Sequence, residues 1–150
     1  MTRNCGPDLV RVGAGLPVAA YRDEITTALH GGRAVIVAPP GTGKTTFVPP
    51  LVASRCSGRV IVTQPRRVAA RAAARRLAAL TGTRPGEFAS HTVHGESTTT
   101  RDTKVEFVTT GVLLRRLLSD PDLTGVDAVV LDEVHERHLD ADLVVAMVCE

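Results

Sequence analysis

The 150-residue sequence predicts an α/β fold, a parallel sheet flanked by helices on both faces. Two observations carry this. Short β-branched runs alternate with stretches that suit helices, so the strands are joined by helical crossovers and run parallel. The runs are also apolar at nearly every position, the pattern of strands covered on both sides. Sheets of this kind bind ligands beyond the carboxyl ends of their strands, which is where chemistry is expected.

Taken in order, residues 1–15 are Gly-containing and are expected to be an N-terminal tail. Val18 to His30 carries good helix formers and stops at Gly31-Gly32, a helix with a glycine stop. Ala34-Val35-Ile36-Val37 is short, β-branched and set between Gly32 and Pro39, a first strand. Val60–Thr63, Val105–Val108 and Asp127–Leu131 predict strands on the same grounds. Arg66 to about Leu80, Gly111 to about Ser119 and Leu139 onward predict helices.

Composition narrows the class of protein. With 43% hydrophobic and 23% charged residues the chain has the balance of one globular domain. It carries neither an apolar run near membrane-spanning length nor a signal core, so a cytoplasmic location is expected and a membrane is not. Cys5, Cys56 and Cys149 lack metal spacing and read as free thiols. The net charge of +2 conceals an asymmetry of +10 over residues 1–86 and −8 over residues 87–150. A basic half suits a polyanionic partner, and an acidic half suits metal or catalytic carboxylates.

The most specific local signal is Ala38-Pro39-Pro40-Gly41-Thr42-Gly43-Lys44-Thr45, a phosphate-binding loop with Ala in place of the first glycine. Gly41 and Gly43 let successive N–H groups turn inward around phosphate oxygens at the positive end of a helix. Pro40 to Thr46 therefore form the nucleotide-binding set, with Lys44 reaching the terminal phosphates and the Thr45 hydroxyl placed to ligate Mg²⁺. Pro49 and Pro50 fall inside the helix that should follow, which is expected to be kinked or short.

A second signal lies at the end of the Asp127–Leu131 strand, where Asp132 and Glu133 place two carboxylates at its carboxyl edge. With a phosphate loop present, Asp132 and Glu133 with Thr45 form the metal set, and Glu133 is the base that orients and deprotonates a water. His135, two residues on, is placed to sense the γ-phosphate. In the helix from Arg66 to Leu80, Ala69, Ala70, Ala73, Leu77 and Leu80 share an apolar stripe. Arg66 and Arg67, at the helix start and the strand end, suit phosphate oxygens of a nucleic-acid backbone, whereas Arg71 reads as a solvated face. With 3% aromatic residues and no Trp, stacking platforms are not the expected means of grip.

Asp132-Glu133-Val134-His135 followed by Glu136-Arg137 resembles motif II of the DEAH/RHA group of superfamily-two helicases. Ala38–Thr45 resembles motif I, Thr63–Ala70 motif Ia, and Thr109-Thr110-Gly111 motif Ib of the same group. Leu16-Pro17-Val18 and the stretch Asp132–Leu143 are particularly similar to its bacterial HrpB-type branch. The resemblance covers about residues 16–150 and implies a RecA-like ATP-binding lobe, truncated after motif II. It implies ATP and Mg²⁺ as cofactors, and single-stranded RNA or DNA gripped at Arg66, Arg67, Thr109 and Thr110. It further implies an arginine on the adenine, for which Arg76 is the candidate and Arg75 the runner-up. Two departures stand out. Ala89–Glu96 replaces a segment that usually carries Tyr and Arg, and the sequence ends at Glu150 without motif III or a second RecA-like lobe. A nearly inactive fragment of an ATP-dependent helicase is therefore expected. A lobe that binds nucleotide or nucleic acid without turnover, and a P-loop NTPase of another class, are the alternatives.

Overall fold

The computed structural model describes residues 6–136 and 138–150; Cys5 and Arg137 lie outside them. The chain forms α1 (Leu9–Gly13), a 3₁₀ turn (Pro17–Tyr21), α2 (Arg22–Leu29), α3 (Lys44–Ala53), β1 (Arg59–Gln64) and α4 (Arg67–Thr81). It continues with β2 (Ala89–Val93), β3 (Glu96–Ser97), β4 (Val105–Thr109), α5 (Thr110–Ser119), β5 (Val126–Leu131) and α6 (Leu139–Cys149). The strands make one sheet in the order β3-β2-β4-β1-β5, parallel throughout except for the short antiparallel β3.

Burial on both faces follows from the strand pattern. Val60, Val62, Val105 and Phe107 face α3 and α4, where Val48, Val52, Ala70, Ala74 and Leu77 meet them. Ile61 and Val108 face the other way, onto Val112, Leu113 and Leu117 of α5 and Val144 of α6. The expected stripe on α4 is offset by one position, with Ala74 and Ala78 buried between its members. The N-terminal segment packs as a third cluster, in which Leu9, Val18 and Ile25 cover Phe47 and Leu51 of α3.

Four differences from the sequence reading have physical causes. Ala34–Val37 is not a strand: it lies outside the sheet, with Val35 and Val37 each 91% exposed. Its residues favour extended backbone, but a strand exists only where another strand takes its hydrogen bonds. The helix expected over Val18–His30 starts as the 3₁₀ turn and becomes α-helical only at Arg22. Helix α3 runs ten residues through Pro49 and Pro50, which cost it the N–H partners of Thr45 and Thr46. Within the stretch expected as a tail, α1 is capped by the Asp8 carboxylate, which accepts from the N–H groups of Val10 and Arg11 at 3.1 Å.

One buried ionic network ties the sheet to α5. Glu106 on β4 is fully buried and accepts from both Arg116 nitrogens (2.9 and 2.7 Å), from Thr92 (2.6 Å) and from Thr99 (3.0 Å). Arg59 approaches the same carboxylate at 3.4 Å. Burial pushes the Glu106 pKa up, but the hydrogen bonds from Arg116, Thr92 and Thr99 and the Arg116 charge outweigh it, leaving it at about 2. Arg71, expected on a solvated face, is instead half-buried and donates to Glu96 at 2.5 Å, and Glu96 also meets the buried His91 ring at 2.6 Å.

Candidate nucleotide-binding site

The parallel register aligns three strand ends. Gln64 pairs with Thr109 and Thr63 with Leu131, so motif Ia, motif Ib and motif II leave the sheet side by side. The loop before α3 reaches the same edge. Gly41 and Gly43 both adopt the left-handed backbone, φ 79° and 90°, that turns a loop tightly, and Gly43 then starts α3 with no side chain capping it. A Cβ on Gly43 would lie 2.9 Å from the Leu16 side chain, so both the turn and its packing require glycine. The loop is also braced from outside, by Thr42 Oγ1 donating to the Pro39 carbonyl (2.9 Å) and Val18 N–H to the Thr42 carbonyl (3.0 Å).

The contact that assembles the site joins residues 87 positions apart: Thr45 Oγ1 donates to Asp132 Oδ2 at 2.5 Å. Gln64 Nε2 donates to the same oxygen at 2.6 Å, and the Glu133 N–H donates to Oδ1 at 2.9 Å. Lys44 folds its ammonium onto the Ala38 and Pro39 carbonyls of its own loop. Thr45 and Asp132 offer adjacent oxygen donors, one neutral and one anionic, which is the donor chemistry Mg²⁺ takes. Glu133 sits at φ 56°, a left-handed conformation that costs a non-glycine residue energy, and its carboxylate meets His135 Nε2 at 3.0 Å. Ligating atoms of Glu133, His135 and Glu136 all lie within 4.8 Å of one another.

Some of the remaining candidates adjoin this centre. Thr110 lines a small crevice with Thr63, Asp132, Glu133 and Glu136, and Thr109 precedes it as the last residue of β4, with no side-chain hydrogen bond to the start of α5. Arg66 pairs with Glu136 at 3.2 Å, and Arg67 donates to the His94 carbonyl at 2.7 Å, so both arginines are held by this chain's own acceptors. Arg75 and Arg76 are exposed on α4, and Pro40 and Gly41 are exposed on the loop, while Thr46 is half-buried in the first turn of α3. Gln64 carries no role in the sequence reading. Its signal was an amide at the end of the strand that carries Val60, Ile61 and Val62; at 4% exposed it needs a partner.

A loop of this geometry joined to a carboxylate at the end of a parallel strand defines a P-loop NTPase lobe. The chain belongs to the DEAD/DEAH box helicase family, whose model matches residues 21–142. It is 41% identical over 140 residues to the ATP-dependent RNA helicase HrpB of Escherichia coli, covering 91% of this chain and 17% of that protein. It is 36% identical over 143 residues to the probable ATP-dependent RNA helicase DHR2 of Saccharomyces cerevisiae, covering 91% of this chain and 20% of that one. The crystal structure of the E. coli DEAH/RHA helicase HrpB superposes with a TM-score of 0.85 at 40% identity, over 90% of this chain and 18% of the other. The chain thus spans about a fifth of the length of these relatives.

Proposed function

We propose that this chain is the ATP-binding lobe of an ATP-dependent RNA helicase. The observation that carries the reading is the Thr45–Asp132 contact, which brings a phosphate loop and a strand-end carboxylate to one point. The helicases it resembles are named for ATP and RNA, and their chemistry needs these two elements together.

The residues divide the work as follows. The N–H groups around Gly41, Gly43 and Lys44 cradle phosphate oxygens, and Lys44 leaves its loop carbonyls for the β- and γ-phosphates. Thr45 and Asp132 would hold Mg²⁺, which when bound supplies positive charge to the phosphate oxygens. Glu133 takes the proton of the attacking water. His135, in contact with that carboxylate, orients it. Arg66, Arg67, Thr109 and Thr110 lie along the neighbouring strand ends and hold the backbone of single-stranded RNA. Arg76 is the candidate adenine contact. An arginine that neutralises the transferred phosphate is worth about 10³–10⁵ in rate, and the arginines named here face other tasks, so residues 1–150 should bind nucleotide and turn it over very slowly.

Calorimetry with Mg-ATP on the 150-residue chain and on Lys44→Ala tests the reading. Lys44→Ala should lose about a hundredfold or more in affinity, because a charge-assisted contact to two phosphates disappears, while its circular dichroism stays unchanged. Equal affinity in the two folded proteins would remove the loop from the site.

A further inference from the structure

We infer that Gln64 is a positioning residue for Asp132, and that through it the turn bearing Arg66 and Arg67 responds to the state of the metal-nucleotide site. The inference rests on the functional reading above. Gln64 is the last residue of β1, 4% exposed, with its amide nitrogen 2.6 Å from Asp132 Oδ2. Its orientation is forced, since turning the amide over would set its carbonyl oxygen against a carboxylate oxygen. Among the described residues the donors on Asp132 come from three places: Thr45 on the phosphate loop, Gln64 on β1 and the backbone of Glu133. Thr45 can keep its hydrogen on Asp132 while a lone pair faces a cation, but it belongs to the phosphate loop that nucleotide engages, and the Glu133 N–H moves with Asp132 itself. Among the described residues the amide of Gln64 is thus the donor that comes from the sheet and would hold the carboxylate to it when a metal is bound.

The same turn touches the motif II loop a second time. Arg66, two residues after Gln64, pairs with Glu136 at 3.2 Å, on the surface rather than in the core. Residues 64–67 therefore latch onto residues 132–136 at one buried and one exposed point. A phosphate that draws Arg66 from Glu136 acts on the exposed point, and a cation on Asp132 acts on the buried one. Two ligands that bias one element are coupled, and each must change the other's affinity by the same factor.

The test uses Gln64→Met, which keeps length and burial without a donor, and Gln64→His, which returns an N–H at similar reach. Gln64→Ala, smaller and free of clashes, is a second variant without a donor. The Mg²⁺ concentration at half-maximal ADP binding should rise about tenfold in Gln64→Met and Gln64→Ala and stay near wild type in Gln64→His. ADP affinity in excess EDTA should be unchanged in all three. Mg-ADP should alter the affinity of wild type for oligouridylate by about fivefold or more, and by little in Gln64→Met. An unshifted Mg²⁺ midpoint in folded Gln64→Met or Gln64→Ala overturns the positioning role, as does an equal shift in Gln64→His, which would point to packing instead. An oligouridylate response that survives in Gln64→Met overturns the coupling. A wild-type chain that binds ADP without regard to Mg²⁺ overturns the functional reading itself.

Discussion

Replacing Glu106 by Gln should destabilise the chain at neutral pH by about 3 kcal/mol and abolish a specific part of its acid sensitivity. The magnitude comes from the carboxyl's own titration. It falls from the ordinary 4.5 to about 2 on folding, and a difference of roughly 2.5 units at about 1.4 kcal/mol each gives about 3.5 kcal/mol, which solvation of Arg116 brings down to the figure. Because the folded pKa is the lower one, this stabilisation is full above pH 4.5 and is lost as pH falls toward 2. The linkage value is an upper bound, since Arg116 keeps 34% of its side chain in water and part of its charge is solvated in either variant. The assay is urea unfolding followed by circular dichroism at pH 7, 5, 4, 3 and 2.5, wild type against Glu106→Gln. The two should differ most at pH 7 and converge at the acid end. A gap below 1 kcal/mol at pH 7, or one that does not narrow on acidification, would show that the five donors around Glu106 do not favour its charge. The result bears on function because Glu106 and Arg116 join β4 to α5, the elements that meet at Thr109 and Thr110.

The other expectations concern the site directly. Arg66→Ala with Arg67→Ala should weaken binding of single-stranded RNA alike for all sequences and flatten its log–log salt dependence by about 1 to 1.5 units; filter binding between 50 and 200 mM salt reads the slope, and an unchanged slope would leave both arginines to their contacts with Glu136 and His94. Glu133→Gly should be more stable than Glu133→Ala by about 1 kcal/mol in thermal unfolding, because only glycine accepts φ 56° without cost, though both lack the proposed base. Equal stabilities would mean that the loop relaxes out of the left-handed region.

What could be read from the residues alone was whatever is local in sequence. The phosphate loop announces itself by Gly41, Gly43 and Lys44, and the carboxyl edge by Asp132 after Val129, Val130 and Leu131. Strands β1, β4 and β5 each carry their own apolar run and were legible for that reason. Strand β2 was not, because Ser90, His91 and Thr92 look like a loop until Thr98, Thr99, Glu96 and Glu106 satisfy them from elsewhere in the chain. Ala34–Val37 failed in the opposite sense, having a strand's side chains but no partner strand among the described residues. Contacts such as Gln64 with Asp132 and Arg66 with Glu136 span 68 and 70 positions, and no spacing rule reaches that far.

The two borders of the sheet are unequal in kind. Strand β3 closes one side with two residues, Glu96 and Ser97, the first charged and both exposed, which is poor material for another chain to pair with. Among the described residues strand β5 forms the other border with six residues, and past Asp127 they are Ala128, Val129, Val130 and Leu131, with no lysine or proline to turn a neighbour away. Beside it in the chain, α6 shows Leu139, Leu143 and Val145 to solvent. Concentrated solutions of the 150-residue chain should accordingly self-associate through β5 and leave the β3 side open, and since β5 leads directly into Asp132, the nucleotide-binding capacity of a preparation will fall with its degree of association.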